Sequence, residues 1–410
     1  MTGPGWDVIV LGAGAAGLMA AIHAAERGKR TLLLEKNRKP GVKILMSGGT
    51  RCNITHDCDN RGIVHAFGPP GKFLHSALAA LSVRDTVAFF NAEGVPTKVE
   101  ETGKVFPVSN KALDVLDALL RRMRRSGATL ALEEPALDVR KSGNAFEVVT
   151  NQRLLTSPRV VIMTGGQSYP GCGTRGDGYG FAARFGHTIV PPKPALVPIT
   201  VPADWVADLK GVTLADVNVT VLDANRPLLE RRGGFLFAHF GLSGPAPLDV
   251  SKAVSQHPDP QSLELELDFL PSLPEVELDE SLRVESLASG RQLLTVVLSR
   301  HLPRRLCDTL LTLIGQPPDR KAAGLSKSDR QALVRSVKRL RLPVRGTLGF
   351  EKAEVTAGGV SLDEVDSRTM ESKHCPGLFL AGEVLDLDGP IGGYNFQAAW
   401  STGWLSGRSV

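Results

Sequence analysis

Near its start the chain alternates short unbroken apolar runs with a helical stretch. Residues 6–11 read W-D-V-I-V-L and residues 31–34 read T-L-L-L. Runs of that length suit strands buried on both faces of a sheet. Between them lie glycines and then residues 15–27, rich in good helix formers and closed by Gly28. Strand, tight turn, helix and strand in that order predict a βαβ unit with a parallel pair.

Farther along, residues 72–127 read mainly as helix. Within 113–125, Leu113, Leu116, Leu120 and Met123 recur at helical spacing. Residues 129–164 read as a β-meander, with strand-like runs at 129–132, 136–139, 146–150 and 160–163. The last runs into Gly165 and Gly166. From Pro191 onward the texture changes. Pro191, Pro192, Pro194, Pro198 and Pro202 cluster, and alternation over 217–222 predicts antiparallel strands. Residues 258–290 are acidic and contain prolines, and 291–341 return to helix with basic residues on the exposed face. From Gly358 the apolar-run-then-glycine texture returns, with a strand expected at 379–381 and a helix at 394–405. No internal repeat is visible. The pattern predicts an α/β protein with a split Rossmann-like domain of parallel sheet and β-meander. Its parts are 1–195 and 346–410, and they enclose a mostly β insert with extra helices at 196–345.

Composition adds limits. The 410 residues are 42% hydrophobic and 22% charged, ordinary for a globular chain and outside the disordered, collagenous and coiled-coil classes. The 43 glycines exceed the usual share of about 7%, which implies many sharp turns or close backbone approaches. A formal charge of +5 fits an anionic ligand and does not demand nucleic acid. The basic runs 121–125 and 335–341 sit on amphipathic helices with leucines at the buried positions, so they are expected to be solvated faces rather than an RNA surface. Five cysteines without a C-x-x-C spacing argue against a zinc site or disulfide framework, and for a reduced, cytoplasmic chain. No apolar stretch of about 18 residues and no basic-then-apolar leader is present, so neither a membrane span nor export is expected. Nothing in the spacing of His, Asp and Glu suggests a metal.

The chemistry begins at Gly12-Ala13-Gly14-Ala15-Ala16-Gly17, a G-x-G-x-x-G between the first strand and the first helix. Gly12 permits the tight turn, Gly14 lets a pyrophosphate approach, and Gly17 lets the helix pack on the strand. The helix N-terminus favours the pyrophosphate. Glu35, at the end of the second strand, suits both ribose hydroxyls and would repel a 2′-phosphate. FAD or NAD is therefore expected rather than NADP. FAD is favoured because the matching element comes only at the C-terminus. There 377–383 is a strand running into Gly382 and Glu383, followed by Gly389, Gly392, Gly393 and a helix from near Tyr394. Glu383 would suit a ribityl or pyrophosphate-side hydroxyl. The helix N-terminus near Asn395 would suit the flavin N1–C2=O edge, where negative charge develops on reduction.

Several ordered motifs carry a resemblance. They are Gly12–Gly17 with Glu35-Lys36; Ser47-Gly48-Gly49-Thr50-Arg51-Cys52-Asn53-Ile54-Thr55; Thr164-Gly165-Gly166-Gln167-Ser168-Tyr169-Pro170; Gly176-Asp177-Gly178-Tyr179; Phe240-Gly241-Leu242-Ser243-Gly244-Pro245; Val355-Thr356-Ala357-Gly358-Gly359-Val360; Thr369-Met370-Glu371-Ser372-Lys373; and Ala381-Gly382-Glu383 through Gly392-Gly393-Tyr394-Asn395-Phe396-Gln397. The chain resembles the HI0933-like (BaiN-type) flavoproteins, within the glutathione-reductase-like superfamily with two dinucleotide-binding domains. The resemblance implies FAD, a split FAD domain and an inserted β-barrel-like domain. It departs at Thr50, where the family usually has glycine, and at His56, where it usually has asparagine. The expected cofactor contacts are Gly12, Gly14, Ala15, Ala16, Gly17, Glu35, Lys36 and Lys43 on the N-terminal side, with Ser47, Gly48, Gly49, Arg51, Cys52 and Asn53 in the loop. Ala136, Thr164, Gly165, Gly166, Gly382, Glu383, Gly392, Gly393, Tyr394, Asn395, Phe396 and Gln397 complete the set.

Arg51 would neutralise pyrophosphate or a substrate anion, or form a surface ion pair. Asn53 would serve the flavin or ribityl chain, or cap its own loop. Cys52 and Cys58 resemble a redox pair of disulfide reductases, but their spacing is one residue longer and no His-Pro base follows near the C-terminus. Cys52 is therefore expected as a packed thiol near the cofactor. Gly171-Cys172-Gly173-Thr174-Arg175-Gly176 also matches G-x-G-x-x-G, but lacks a βαβ context and reads as a loop. No dedicated nicotinamide domain is evident, so NAD(P)H would dock transiently as reductant or in a site shaped by the insert. His239 is a candidate acid or base, with a structural histidine as the alternative. The expected activity is flavin-mediated hydride transfer on an unidentified small molecule, by reduction of an activated double bond or oxidation of an amine. The alternatives are a dithiol flavoenzyme using Cys52 and Cys58, or a flavin-binding, RNA-interacting protein.

Overall fold

The computed structural model describes residues 5–288 and 290–410. They form two compact units, one of residues up to 194 plus 354–410, the other 195–353. The first unit is built on β1 (Val8–Leu11), α1 (Ala15–Glu26) and β2 (Thr31–Leu34). Both strands are buried along their whole length. They belong to a five-stranded sheet in the order Leu378–Leu380, Val160–Ile162, β1, β2, Thr129–Ala131. Every pairing in it is parallel. The last strand of the chain thus enters the sheet beside one from its middle, which closes the split domain.

α1 is pinned from the other side by the C-terminal helix Tyr394–Ser409. A Cβ on Gly403 would lie 2.3 Å from the Ala16 carbonyl oxygen, and one on Gly407 2.5 Å from that of Ala20. Only glycine allows the two backbones this close.

The strands at 129–131 and 160–162 belong to the parallel sheet, not to the expected meander. The meander is made by Ala136–Ser142, Ala145–Thr150 and Leu154–Ser157. The burial pattern explains the difference. The 160–162 strand is buried throughout, whereas 145–150 and 154–157 alternate, as strands with one covered face must. The segment 72–127 is also less helical than expected. Thr97–Val99 and Lys104–Pro107 pair as strands, and Thr55–His56 joins the second of them.

The second unit holds a seven-stranded antiparallel sheet, whose longest hairpin is Thr213–Asp223 with Arg226–Ala238. Its core stacks Phe235, Phe237 and Phe269 against leucines of helices Arg304–Leu313 and Lys327–Lys338. The unit ends later than residue 345, because Gly346–Thr347 pairs with Ile199–Thr200 as the sheet's edge strand. Among the described residues, no single helix is long and apolar enough to cross a membrane.

Candidate cofactor and active site

The turn after β1 is shaped for close approach. Gly12 has φ +101°, and a Cβ there would lie 2.6 Å from the Met163 carbonyl oxygen. Gly14 is the N-cap of α1, and a Cβ on it would meet no atom within 4 Å. The helix has no side-chain cap and no acid in its first turn. The free N–H groups at Ala15, Ala16 and Gly17 and the positive end of the helix therefore remain available to an anion. Glu35 is 8% exposed. Its Oε2 accepts the Ala13 N–H and its Oε1 the Asn37 N–H, both at 2.9 Å. Burial pushes its pKa up against the pull of those two donors. Lys36 is turned onto Asp177.

The next segment, α2 (Val42–Thr50), breaks its helical course at Ser47. Gly48, Gly49, Thr50 and Cys52 all have positive φ, of 55°, 66°, 69° and 60°. The family departure at Thr50 thus places a β-branched residue in the left-handed region, at a cost of about 1–2 kcal/mol. Ser47 Oγ donates to the Ile44 carbonyl. Arg51 donates to Glu100 Oε1 at 2.7 Å and lies 4.0 Å over the Phe106 ring. The structure gives it the ion-pair geometry. Asn53 is 8% exposed, and its Oδ1 is buried without a hydrogen-bond partner.

Lys43 reaches across the fold to Glu383. Its Nζ donates to Ser168 Oγ and Glu383 Oε2, both at 2.6 Å. Ser168 Oγ donates to Glu383 Oε1 at 2.6 Å, and the Thr356 N–H donates to the same oxygen at 2.9 Å. Thr356 Oγ1 accepts the N–H groups of Gln167 and Ser168. Gly166 lies against Thr356, where a Cβ would come within 2.3 Å of Oγ1. Gly165 precedes it, and Thr164 Oγ1 and Tyr179 Oη are buried without partners. Burial, Glu383 and Asp386 raise the Tyr179 pKa.

The C-terminal helix fixes the other side of the loop. Gly382 begins a short 3-10 turn through Glu383, and its N–H donates to Thr402 Oγ1. Gly393, at φ +98°, caps the helix 394–409 and packs on the Thr55 carbonyl and Asn53 Oδ1. Gly392 O meets His56 Nδ1 at 3.1 Å, and Tyr394 stacks on the His56 ring at 4.5 Å. Asn395 closes its own loop, donating to the Gly389 and Pro390 carbonyls. Phe396 stacks on Trp400. Gln397 is buried, accepting from Thr55 Oγ1 and donating to Thr86 and Ser401.

The remaining candidates stand apart. Ala136 opens the meander opposite Thr150. Cys52 is fully buried and its thiol is pushed up to about 12 by burial; Cys58 is pushed up to about 11 by burial and by Asp59 and Asp57. Both are free thiols. Neither environment favours the thiolate that disulfide exchange needs. His239 is exposed at the tip between strands 226–238 and 241–243, edge-on to Phe240, and belongs to the second unit. Gly171–Gly176 forms a short 3-10 turn and the N-cap of helix Asp177–Arg184. Sequence reading missed Ser168, Thr356 and Tyr179 as site residues, although all three lay inside quoted motifs.

These residues fit FAD. An uncapped helix N-terminus faces open space at Gly14, a buried carboxylate closes β2, and unpartnered polar atoms at Asn53, Thr164 and Tyr179 lie in the expected cofactor segments.

Comparison with known proteins gives the same family. Residues 6–409 match the HI0933-like protein Rossmann domain. The chain is 37% identical over 406 residues to a ribosomal RNA dihydrouridine synthase of Escherichia coli, covering 99% of this chain and 98% of that one. It is 30% identical to a 3-dehydro-bile acid delta(4,6)-reductase of Clostridium scindens, covering 98% of each. A solved 3-ketosteroid-delta4-(5alpha)-dehydrogenase of Rhodococcus jostii shares the fold at 15% identity and a TM-score of 0.52, covering 98% of this chain and 96% of that one. The chain belongs to the HI0933-like family and is an FAD-dependent oxidoreductase.

Proposed function

We propose that this enzyme reduces a carbon–carbon double bond conjugated to a carbonyl, and that its substrate is a uracil base in ribosomal RNA. The observation that carries this reading is the end-to-end similarity to a ribosomal RNA dihydrouridine synthase. The expectation against nucleic acid is withdrawn on the same ground. The bile acid reductase among the relatives supports the bond class, since its named reaction is also a reduction.

Bound FAD, once reduced by the nicotinamide, would supply a hydride at its N5. The double bond would take hydride at the carbon β to the carbonyl and a proton from solvent water at the α carbon. The chain's own groups divide the rest. The amides of Ala15, Ala16 and Gly17 would bind the pyrophosphate, and Glu35 the adenosine ribose. The loop from Ser47 to Asn53 and the turn from Gly392 to Asn395 would line the flavin and ribityl chain. Lys43 Nζ and Ser168 Oγ, both bonded to Glu383, would fix charge beside the ribityl chain. A transiently docked NAD(P)H would be the reductant.

The test is anaerobic incubation of the holoenzyme with NADH or NADPH and unmodified ribosomal RNA, followed by nucleoside mass spectrometry. A gain of two hydrogens on uridine supports the proposal. Reduction of a conjugated steroid enone with no change in the RNA moves the substrate to small molecules. Reduction of neither overturns the bond class.

A further inference from the structure

Three residues from separate segments of the first unit meet in a cluster the cofactor site does not use. His187 follows helix Asp177–Arg184, Glu364 ends the short turn Leu362–Glu364, and His374 precedes strand Leu378–Leu380. One ligand atom from each lies within 4.8 Å of the other two. The His187 side chain is fully buried, and its Nδ1 has no hydrogen-bond partner. That atom lies 3.4 Å from Glu364 Oε2, and His374 Nε2 lies 3.6 Å from the same oxygen.

We propose that His187 Nδ1, Glu364 and His374 Nε2 form a binding site for a divalent first-row ion of the zinc class. The spacing supports it. Metal–ligand bonds of about 2.0–2.1 Å at tetrahedral angles separate two ligand atoms by about 3.4 Å. Both measured separations lie near that edge length. Two imidazoles and a carboxylate are a donor set for zinc, cobalt or nickel rather than for calcium or magnesium. The outer contacts are in place as well. His187 Nε2 lies 2.7 Å from Ser372 Oγ, which holds the ring with Nδ1 toward the cluster. Glu364 Oε2 also accepts the Thr188 N–H at 2.7 Å, which orients the carboxylate. His374 is partly exposed, so the site is open to solvent and a water can complete the coordination. The bound ion would tie the segment after 184 to the one leading into the last strand of the sheet. Sequence spacing could not reveal the set, because His187 lies far along the chain from Glu364 and His374.

The experiment uses tag-free holoprotein stripped with chelator and titrated with cobalt(II) alone. Cobalt absorption to the red of the flavin bands should saturate at one ion per chain, and zinc should displace it. His374→Ala, at a partly exposed position, should weaken binding by at least about tenfold while flavin content and turnover stay unchanged. Glu364→Gln repeats the test should that variant fold poorly. Failure of the wild-type protein to bind one equivalent overturns the proposal, and so does cobalt binding that survives both substitutions.

Discussion

Gly17→Ala tests the core of the cofactor site. A Cβ at this position would lie 1.8 Å from the Gly12 carbonyl oxygen. An ordinary carbon–oxygen contact is about 3.3 Å, so α1 must retreat by roughly 1.5 Å. It has no room behind it, because Gly403 and Gly407 bring the C-terminal helix onto Ala16 and Ala20. Overpacking of this kind costs about 1–3 kcal/mol. The same shift moves the first-turn amides off the pyrophosphate. Hydrogen bonds to a charged group are worth about 1.5–3 kcal/mol, so FAD affinity should fall by about 10- to 100-fold. The assay is removal of the flavin, then titration of the apoprotein with FAD, alongside thermal unfolding. Gly180→Ala is the control. Gly180 lies in helix Asp177–Arg184 with no atom within 4 Å of its Cβ position. It should keep FAD affinity and gain up to about 1 kcal/mol of stability. If Gly17→Ala binds FAD within about twofold of wild type, with an unchanged melting temperature, the proposed docking of pyrophosphate on α1 is wrong.

Thr50→Gly should stabilise the chain. Relief of the left-handed threonine is worth about 1–2 kcal/mol and the added freedom of glycine costs about 0.5–1, leaving a gain of about 0.5–1 kcal/mol in urea unfolding; a lower midpoint would show that the loop does not strain Thr50. His23 makes stability depend on pH. It stacks on Trp404 at 3.8 Å, and burial lowers its pKa from 6.5 to about 4. The unfolded chain takes up the proton first as pH falls, so this contribution is intact above the unfolded pKa and is lost between pH 6.5 and about 4. The full shift corresponds to about 3 kcal/mol, which solvent screening of the partly exposed ring reduces to about 1–2. His23→Phe should remove that loss, and an identical pH profile in the variant would refute the assignment. Cys58→Ser should leave turnover unchanged, since its thiol is pushed up to about 11; a drop of about tenfold or more would restore the dithiol reading.

The parts of the fold legible from sequence were those encoded locally. The βαβ start was readable because two apolar runs, a glycine turn and a helix-forming stretch lie side by side, and the structure has β1, α1 and β2 there. The helix at 394 and the strand at 379 were readable for the same reason. The strand at 160–162 differs from the meander strands only in being covered on both faces, which depends on helices elsewhere, and 129–131, half-exposed at the sheet's edge, lacks even that mark. The strands at 97–99 and 104–107 are hidden because each is short: they pair with each other, and only 104–107 goes on to pair with the distant 55–56.

The site divides along the same line, and the division bears on what remains to be learned. The proposed recognition of the dinucleotide would rest on backbone amides, one uncapped helix and one carboxylate, all within the first segment of the chain, so a motif discloses it. The groups around Glu383 are assembled otherwise. Lys43 and Glu383 are 340 positions apart, and Ser168 comes from a third segment. No spacing rule announces such a set. Charge runs are an equally poor guide. Within 121–125, Arg122 and Arg125 are committed to Glu93, and Arg121 to the Glu93 carbonyl. In 335–341, Lys338, Arg339 and Arg341 are paired with Asp268, Glu275, Glu264 and Glu266. Among the described residues Arg124 and Arg335 are the members of these runs outside such pairs, so a polyanionic substrate would be drawn by them and by cations elsewhere. The number of phosphates they neutralise is readable from the slope of log affinity against log salt, at about 0.7 per contact on single-stranded RNA. That slope, measured on the holoenzyme, separates an RNA substrate from a small conjugated ketone without knowledge of which arginines act.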